Sequence, residues 1–259
     1  MNVLRNFRQV VDWQTFAVTS LAVLATYLCN YYGFHAELPT ALIGIAIIFP
    51  IVFSINAAYR RREEALRYYA SIKAQAAAIQ FAHRDWAGSD AEGGARGKEL
   101  MSNLLHRLSD YFTKREGMEE EDRFDKVYEA FERFSASHEA LRENGVSTSE
   151  ISRMNQYLRG IMIDFEKMRN IHLYQTPRSL RAYSQVFLNL FPILYAPYFA
   201  QICMDSKHEA AGYAVAVLYS LVLVTLDNIQ QDLENPYDNV GVDDLNFDVS
   251  HRFERTLKD

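Results

Sequence analysis

With 259 residues the chain is long enough for one or two domains, and a net charge of −6 is the wrong sign for a protein that grips nucleic acid. Two cysteines, Cys29 and Cys203, exclude a disulfide framework and a cysteine-built metal site. A hydrophobic fraction of 49% and a charged fraction of 23% look soluble until they are mapped. Trp13–Phe34, Leu38–Tyr59, Ala182–Met204 and Ala210–Leu226 hold no Asp, Glu, Lys or Arg, and nearly all the charge lies between Arg60 and Arg181 or after Leu226.

The first run is too long for a signal-peptide core and lacks a small-x-small cleavage site, so it is expected to persist as a helix. The second run, Leu38–Tyr59, spans roughly 33 Å as a helix, enough for a hydrocarbon core of about 30 Å. It carries Pro50 in mid-span and Ser54 and Asn56 near its end, residues of little use against lipid and of some use beside a polar path. Arg60, Arg61 and Arg62 follow at once and mark a cytoplasmic end. The stretch from Arg60 to Gln80 continues the helix without Gly or Pro, and GSDAEGGARG at Gly88–Gly97 reads as an exposed loop.

Apolar residues then recur at three- and four-residue steps. Leu100, Met101, Leu104, Leu105, Leu108, Tyr111 and Phe112 predict one amphipathic helix, and Phe124, Val127, Tyr128, Phe131 and Phe134 another. Asn144-Gly145 is a turn, and Ser147 with Glu150 forms a capping box opening a third helix through Ile151, Met154, Leu158, Ile161, Met162 and Phe165. Arg5 and Arg8 before the first run, the arginine triplet, and Arg178 and Arg181 before the third run all place the termini in the cytoplasm, with two short external loops. The expected architecture is all-α, with four transmembrane helices in two pairs. Residues 1–59 form the first pair, 60–181 a cytosolic helical bundle, 182–226 the second pair and 227–259 a cytosolic tail. The location is the cell membrane, the inner membrane if the source is bacterial.

Catalytic signals are absent. The seven histidines form no His-x-x-x-His pair, and no HExxH, GxSxG or phosphate-loop sequence occurs. His106, His138 and His172 lie on helical stretches, where a surface or satisfied core histidine is the ordinary reading. No carboxylate dyad suits acid–base work, so the expectation is a non-enzyme without a cofactor. The middle alternates charge sign (Glu119–Asp122, then Arg123, Asp125, Lys126), a solvated surface and not a nucleic-acid face. Both cysteines read as small apolar packing residues.

Three segments carry a family resemblance. After the fourth run come Asp232-Leu233-Glu234-Asn235-Pro236-Tyr237 and then Asp244-Leu245-Asn246-Phe247-Asp248. Before the third run, Glu166-Lys167 leads to Thr176-Pro177-Arg178-Ser179-Leu180-Arg181. The second run leaves the membrane through Ala57-Ala58-Tyr59-Arg60-Arg61. In order and spacing these resemble the bestrophin family, and the prokaryotic branch in particular. The usual tryptophan pair after the pore helix is replaced by Arg62 and Glu63, Tyr237 stands for Phe, and the tail has no uninterrupted acidic run.

The resemblance implies a homopentameric channel in the bilayer, passing chloride or other small anions through a pore lined by the second helix. Its neck would be three large apolar residues at four-residue steps. Anchoring on Ala57-Ala58-Tyr59-Arg60 gives Ile45, Phe49 and Phe53, and anchoring on Pro50 gives Phe49, Phe53 and Ala57. Phenyl edges are positive and favour an anion, and an apolar constriction gates by dewetting. Arg60, Arg61 and Arg62 would ring the cytoplasmic mouth and concentrate anions. Calcium would fall to Asp238, Asp243, Asp244 and Asp248, with a solvated acidic loop as the other reading. A monovalent cation channel of the same fold, a non-conducting membrane scaffold or sensor, and a soluble helical bundle stay open at this point.

Overall fold

The computed structural model describes residues 11–86, 91–113, 119–174, 178–206, 208–237 and 244–247. Among these it holds eight helices and no strand: α1 Trp13–Tyr31, α2 Thr40–Trp86, α3 Ala91–Phe112, α4 Glu120–Glu143, α5 Thr148–Leu173, α6 Arg178–Leu194, α7 Ala196–Asp205 and α8 Ala210–Glu234. The chain divides into two compact units, Met1–Arg60 with Thr176–Glu234 and Arg61–Gln175 with Asn235–Asp259. The 47-residue α2 runs through the boundary as one helix.

In the first unit α1 packs on α6, α7 and α8. Asp12 caps α1, its carboxylate accepting the Thr15 amide at 2.9 Å, and Ala22 and Thr26 turn the buried side of that helix inward. The third apolar run is not one helix. Pro192 lies inside α6, Pro197 at the start of α7, and the chain turns at Tyr195 between them. Each proline lacks the N–H that a continuous helix requires, so the break follows from the residues. The fourth helix does not stop at Leu226 with the apolar residues. It continues to Glu234 because its acidic residues find partners: Asn189 Nδ2 and Gln231 Nε2 donate to Asp227 Oδ2 at 3.3 and 3.1 Å, and Arg181 pairs with Glu234. Gln14 donates to Asn189 Oδ1 at 3.0 Å, so one polar chain ties α1, α6 and α8 together.

The second unit is a helix bundle whose core is aromatic. Ile72, Ala76 and Ile79 of α2 meet the Leu104–Leu108 side of α3, Phe131 and Phe134 of α4, and Met154, Ile161 and Phe165 of α5. The stripes spaced at three and four residues are the buried faces. Two local expectations need correction. Helix α3 begins at Ala91 and runs through Gly93, Gly94 and Gly97, so most of the expected loop is helical. Gly97 is there because α3 crosses α2 closely: a Cβ at 97 would stand 2.8 Å from the His83 Cβ and 3.4 Å from the Gln80 backbone. Ser147 does cap α5, its Oγ accepting the Glu150 amide at 3.4 Å, but the Glu150 carboxylate pairs with Arg153 instead of closing the box. Gly145 takes φ +87° in the turn before it, a conformation that costs a side chain about 1–2 kcal/mol. The C-terminal segment also joins this core: Tyr237, Leu245 and Phe247 are buried, and the Leu245 amide donates to the Pro236 carbonyl at 2.8 Å.

Candidate functional site

Helix α2 has two unlike faces in its apolar half. Ile51, Ser54 and Ala58 are buried, and Ile51 packs with Leu188 of α6 and Leu223 of α8. Ile45, Phe49 and Phe53 remain 63%, 63% and 58% exposed. The two phenyl rings touch each other edge to face, with centroids 4.8 Å apart and planes at 73°. Packing inside the chain therefore does not account for these three side chains. Ala57 is exposed as well, so both possible registers of the apolar row lie on the open face. Ser54 and Asn56 part company: Ser54 turns into the interior and Asn56 outward.

Past Asn56 the same helix carries the arginines. Arg60 is exposed, while Arg61 and Arg62 are half-buried and Arg62 Nη1 lies 2.7 Å from Glu63 Oε1. Part of the triplet's charge is thereby neutralised by its neighbour. Of the acidic residues considered for calcium, Asp238, Asp243 and Asp248 lie outside the described residues, and Asp244 is half-buried. Among the described residues no group of three His, Cys, Asp or Glu is placed to hold a metal ion. The cysteines are free: Cys203 is buried against Gly212, and Cys29 is half-buried.

Sequence reading passed over the ends of α1. Trp13 is 83% exposed at one end, and Tyr31 and Tyr32 are exposed at the other. These ends are separated by about 27 Å of helix, and aromatic residues favour the two water–hydrocarbon boundaries of a bilayer. Among the described residues two stretches, Arg181–Asp205 and Ala210–Glu234, are by length and composition apolar enough to cross a membrane.

In the second unit two histidines are sealed in, and only one had been noticed. His83 of α2 and His138 of α4 are each 2% exposed, with ring centroids 6.1 Å apart. Ser137 Oγ donates to the Phe134 carbonyl at 2.7 Å, so the His83 ring nitrogen 3.0 Å away donates to Ser137. His138 Nδ1 lies 2.7 Å from Asn155 Oδ1 of α5. Burial, then the neighbouring His138 and Arg96, push the His83 pKa down to about 4, and burial lowers that of His138. Both rings are neutral at pH 7. A histidine whose pKa falls on folding stabilises the fold above its unfolded value of about 6.5 and loses that contribution as pH falls toward 4. For His83 the loss approaches about 3 kcal/mol. Denaturant unfolding of the detergent-solubilised protein is expected to weaken across that window. His83→Gln keeps an N–H donor but cannot titrate, and it should flatten the pH dependence. An unchanged slope would assign the acid sensitivity elsewhere.

No family model matches this sequence, and no curated protein is similar to it at a significant level. Solved structures are similar. A variant of a bacterial bestrophin homologue from Klebsiella pneumoniae superposes with a TM-score of 0.80 at 18% identity, over 95% of this chain and 98% of that one. A second crystal structure of that homologue gives 0.80 at 17% identity, over 95% and 96%. A crystal structure described only as that of a membrane protein gives 0.78 at 16%, over the same shares. The all-helical architecture of the chain thus belongs to a known class. The chain has the bestrophin fold.

Proposed function

We propose that the chain is one subunit of a membrane ion channel of bestrophin type, assembled as a pentamer around the exposed face of α2. It passes chloride or similar small monovalent anions passively and catalyses no reaction. The observation that carries this reading is the open row Ile45–Phe49–Phe53 on a helix whose opposite side is packed against α6 and α8. Large apolar side chains left uncovered on a membrane-length helix face lipid, another copy or a pore. The row continues into exposed Asn56 and Arg60, which suits a water-filled path better than hydrocarbon.

Five such rows give stacked apolar rings that resist wetting, and ring edges turned inward attract an anion. Arg60 at the end of the row raises the local anion concentration. The aromatic ends of α1 and the stretches Arg181–Asp205 and Ala210–Glu234 support insertion in the cell membrane. The positions of Arg5, Arg8, Arg60, Arg61, Arg62, Arg178 and Arg181 favour both termini on the cytoplasmic side.

The test is current through the purified protein in a planar bilayer under asymmetric salt. Wild type is expected to be anion-selective, and Phe49→Ala with Phe53→Ala to raise conductance or abolish gating by removing the rings. Cation-selective current would retain the channel and reject the anion; a silent bilayer would reject the channel, and a particle far from five subunits would reject the pentameric pore.

A further inference from the structure

The open face of α2 does not end at its apolar residues. At about 100° per residue, and counting from Ile45, positions 49, 53, 56 and 60 fall at about 40°, 80°, 20° and 60°. Ile51, Ser54 and Ala58, the buried side, fall between about 180° and 240°. Asn56 therefore sits in the middle of the exposed sector, one turn beyond Phe53 and one turn before Arg60. Along that line the surface changes from phenyl to carboxamide to guanidinium.

The Asn56 side chain differs from several polar groups on the neighbouring helices of its unit. Thr26, Ser220 and Thr225 each return a hydroxyl to a carbonyl one turn back, at 2.8, 2.7 and 2.7 Å. Asn189 gives its amide to the Gln185 carbonyl and to Asp227. Those groups are satisfied within the helices. Among the described residues Asn56 has no hydrogen-bond partner, and it is exposed. An amide left so toward hydrocarbon is strongly disfavoured, whereas one facing water or an ion is not.

We propose that Asn56 is a specificity-determining residue of the pore, donating amide N–H groups to an anion as it leaves the apolar constriction. The inference rests on the channel reading above. An ion stripped of water between phenyl rings regains its first polar contact here. A carboxamide offers N–H to an anion or C=O to a cation, and Arg60 decides between them. Guanidinium is a positive charge without an acceptor, so its field one turn away favours an anion at this point, to which the unpartnered carboxamide can turn its amide hydrogens.

The experiment compares wild type, Asn56→Asp, Asn56→Leu and Asn56→Gln, each as full-length protein in bilayers under a potassium chloride gradient, with particle size checked first. Asn56→Asp is expected to lower the chloride-to-potassium permeability ratio roughly tenfold. Asn56→Leu, close in volume but without polar atoms, is expected to lower conductance several-fold, and Asn56→Gln to keep both properties near wild type. If the aspartate variant fails to assemble, the Leu–Gln contrast decides alone. Wild-type permeability ratio and conductance in both Asp and Leu variants, with current still altered by Phe49→Ala and Phe53→Ala, would overturn the role of Asn56 and leave the channel standing. A wild-type protein that carries no current removes the channel reading itself, and this inference with it.

Discussion

Gly212→Leu is expected to prevent the first unit from folding, and Gly212→Ala to destabilise it by about 1–3 kcal/mol. Helix α8 passes α7 at this residue with no room for a side chain. A Cβ at 212 would fall inside the van der Waals shell of the Phe199 carbonyl oxygen and of Cys203 Sγ, and 2.9 Å from the Cys203 amide nitrogen. Two of those three atoms are backbone, so no rotamer change relieves the contact. Intrinsic preference argues the other way: alanine in a helix is favoured over glycine by about 1 kcal/mol. The sign of the measured change therefore separates propensity from packing. Gly160 is the control. A Cβ there would collide with Gln75, but with the carboxamide end of a flexible side chain, so Gly160→Ala displaces Gln75 from Asp164, 3.2 Å away, and should cost less. Thermal unfolding in detergent measures both. A Gly212→Ala protein at least as stable as wild type would mean that α7 and α8 separate readily.

The difference between these two glycines shows where sequence reading stops. The helices of the second unit were legible because burial selects one residue in three or four. Leu104, Leu108 and Phe112, or Met154, Leu158 and Phe165, mark their own inner faces. Nothing in the spacing of Gly97 or Gly212 says that another backbone passes within contact distance. The loop reading of Gly88–Gly97 does not hold from Ala91 onward for that reason. Hydropathy located the third apolar run but not its break, since apolarity is blind to the missing N–H of Pro192 and Pro197, even though the residues themselves announce it. The helical continuation of α8 past Leu226 is not legible in hydropathy, because Asp227 and Glu234 look like an exit from an apolar helix. Their partners Asn189, Gln231 and Arg181 are tertiary neighbours or polar residues with no distinguishing pattern. For the candidate site, the family resemblance singled out Phe49 and Phe53 but could not orient them. The stretch 41–53 is apolar on every side except Gly44 and Pro50, so only the packing of Ile51 and Ala58 reveals which side is left open.

Phe112→Ala is expected to cost about 3–5 kcal/mol and to release the C-terminal segment from the second unit. The ring is fully buried at the end of α3 and meets two parts of the chain at once. On one side it stacks with Tyr237 at 4.6 Å and with Phe247 at 5.7 Å; on the other it contacts Phe165 and His172 of α5 edge-on at 6.0 and 5.9 Å. Removing it leaves a cavity bounded by aromatic rings too rigid to collapse into it. Tyr237 has a second hold, its hydroxyl donating to the Met168 carbonyl at 3.2 Å, in surroundings that push its pKa well above the usual tyrosine range by burial. Tyr237→Phe keeps the stack and removes only that bond, so it should cost about 1 kcal/mol. If the segment is held through Phe112, limited proteolysis beyond Pro236 will accelerate in Phe112→Ala and barely change in Tyr237→Phe. Equal cleavage in both would mean that the hydroxyl, and not the aromatic stack, fixes the segment. Unfolding of the double variant supplies the remaining comparison. Once Phe112 is gone the ring of Tyr237 loses its nearest stacking partner and keeps only His172 and Phe247, so the effect of Tyr237→Phe should shrink in that background, because side chains in direct contact do not act independently.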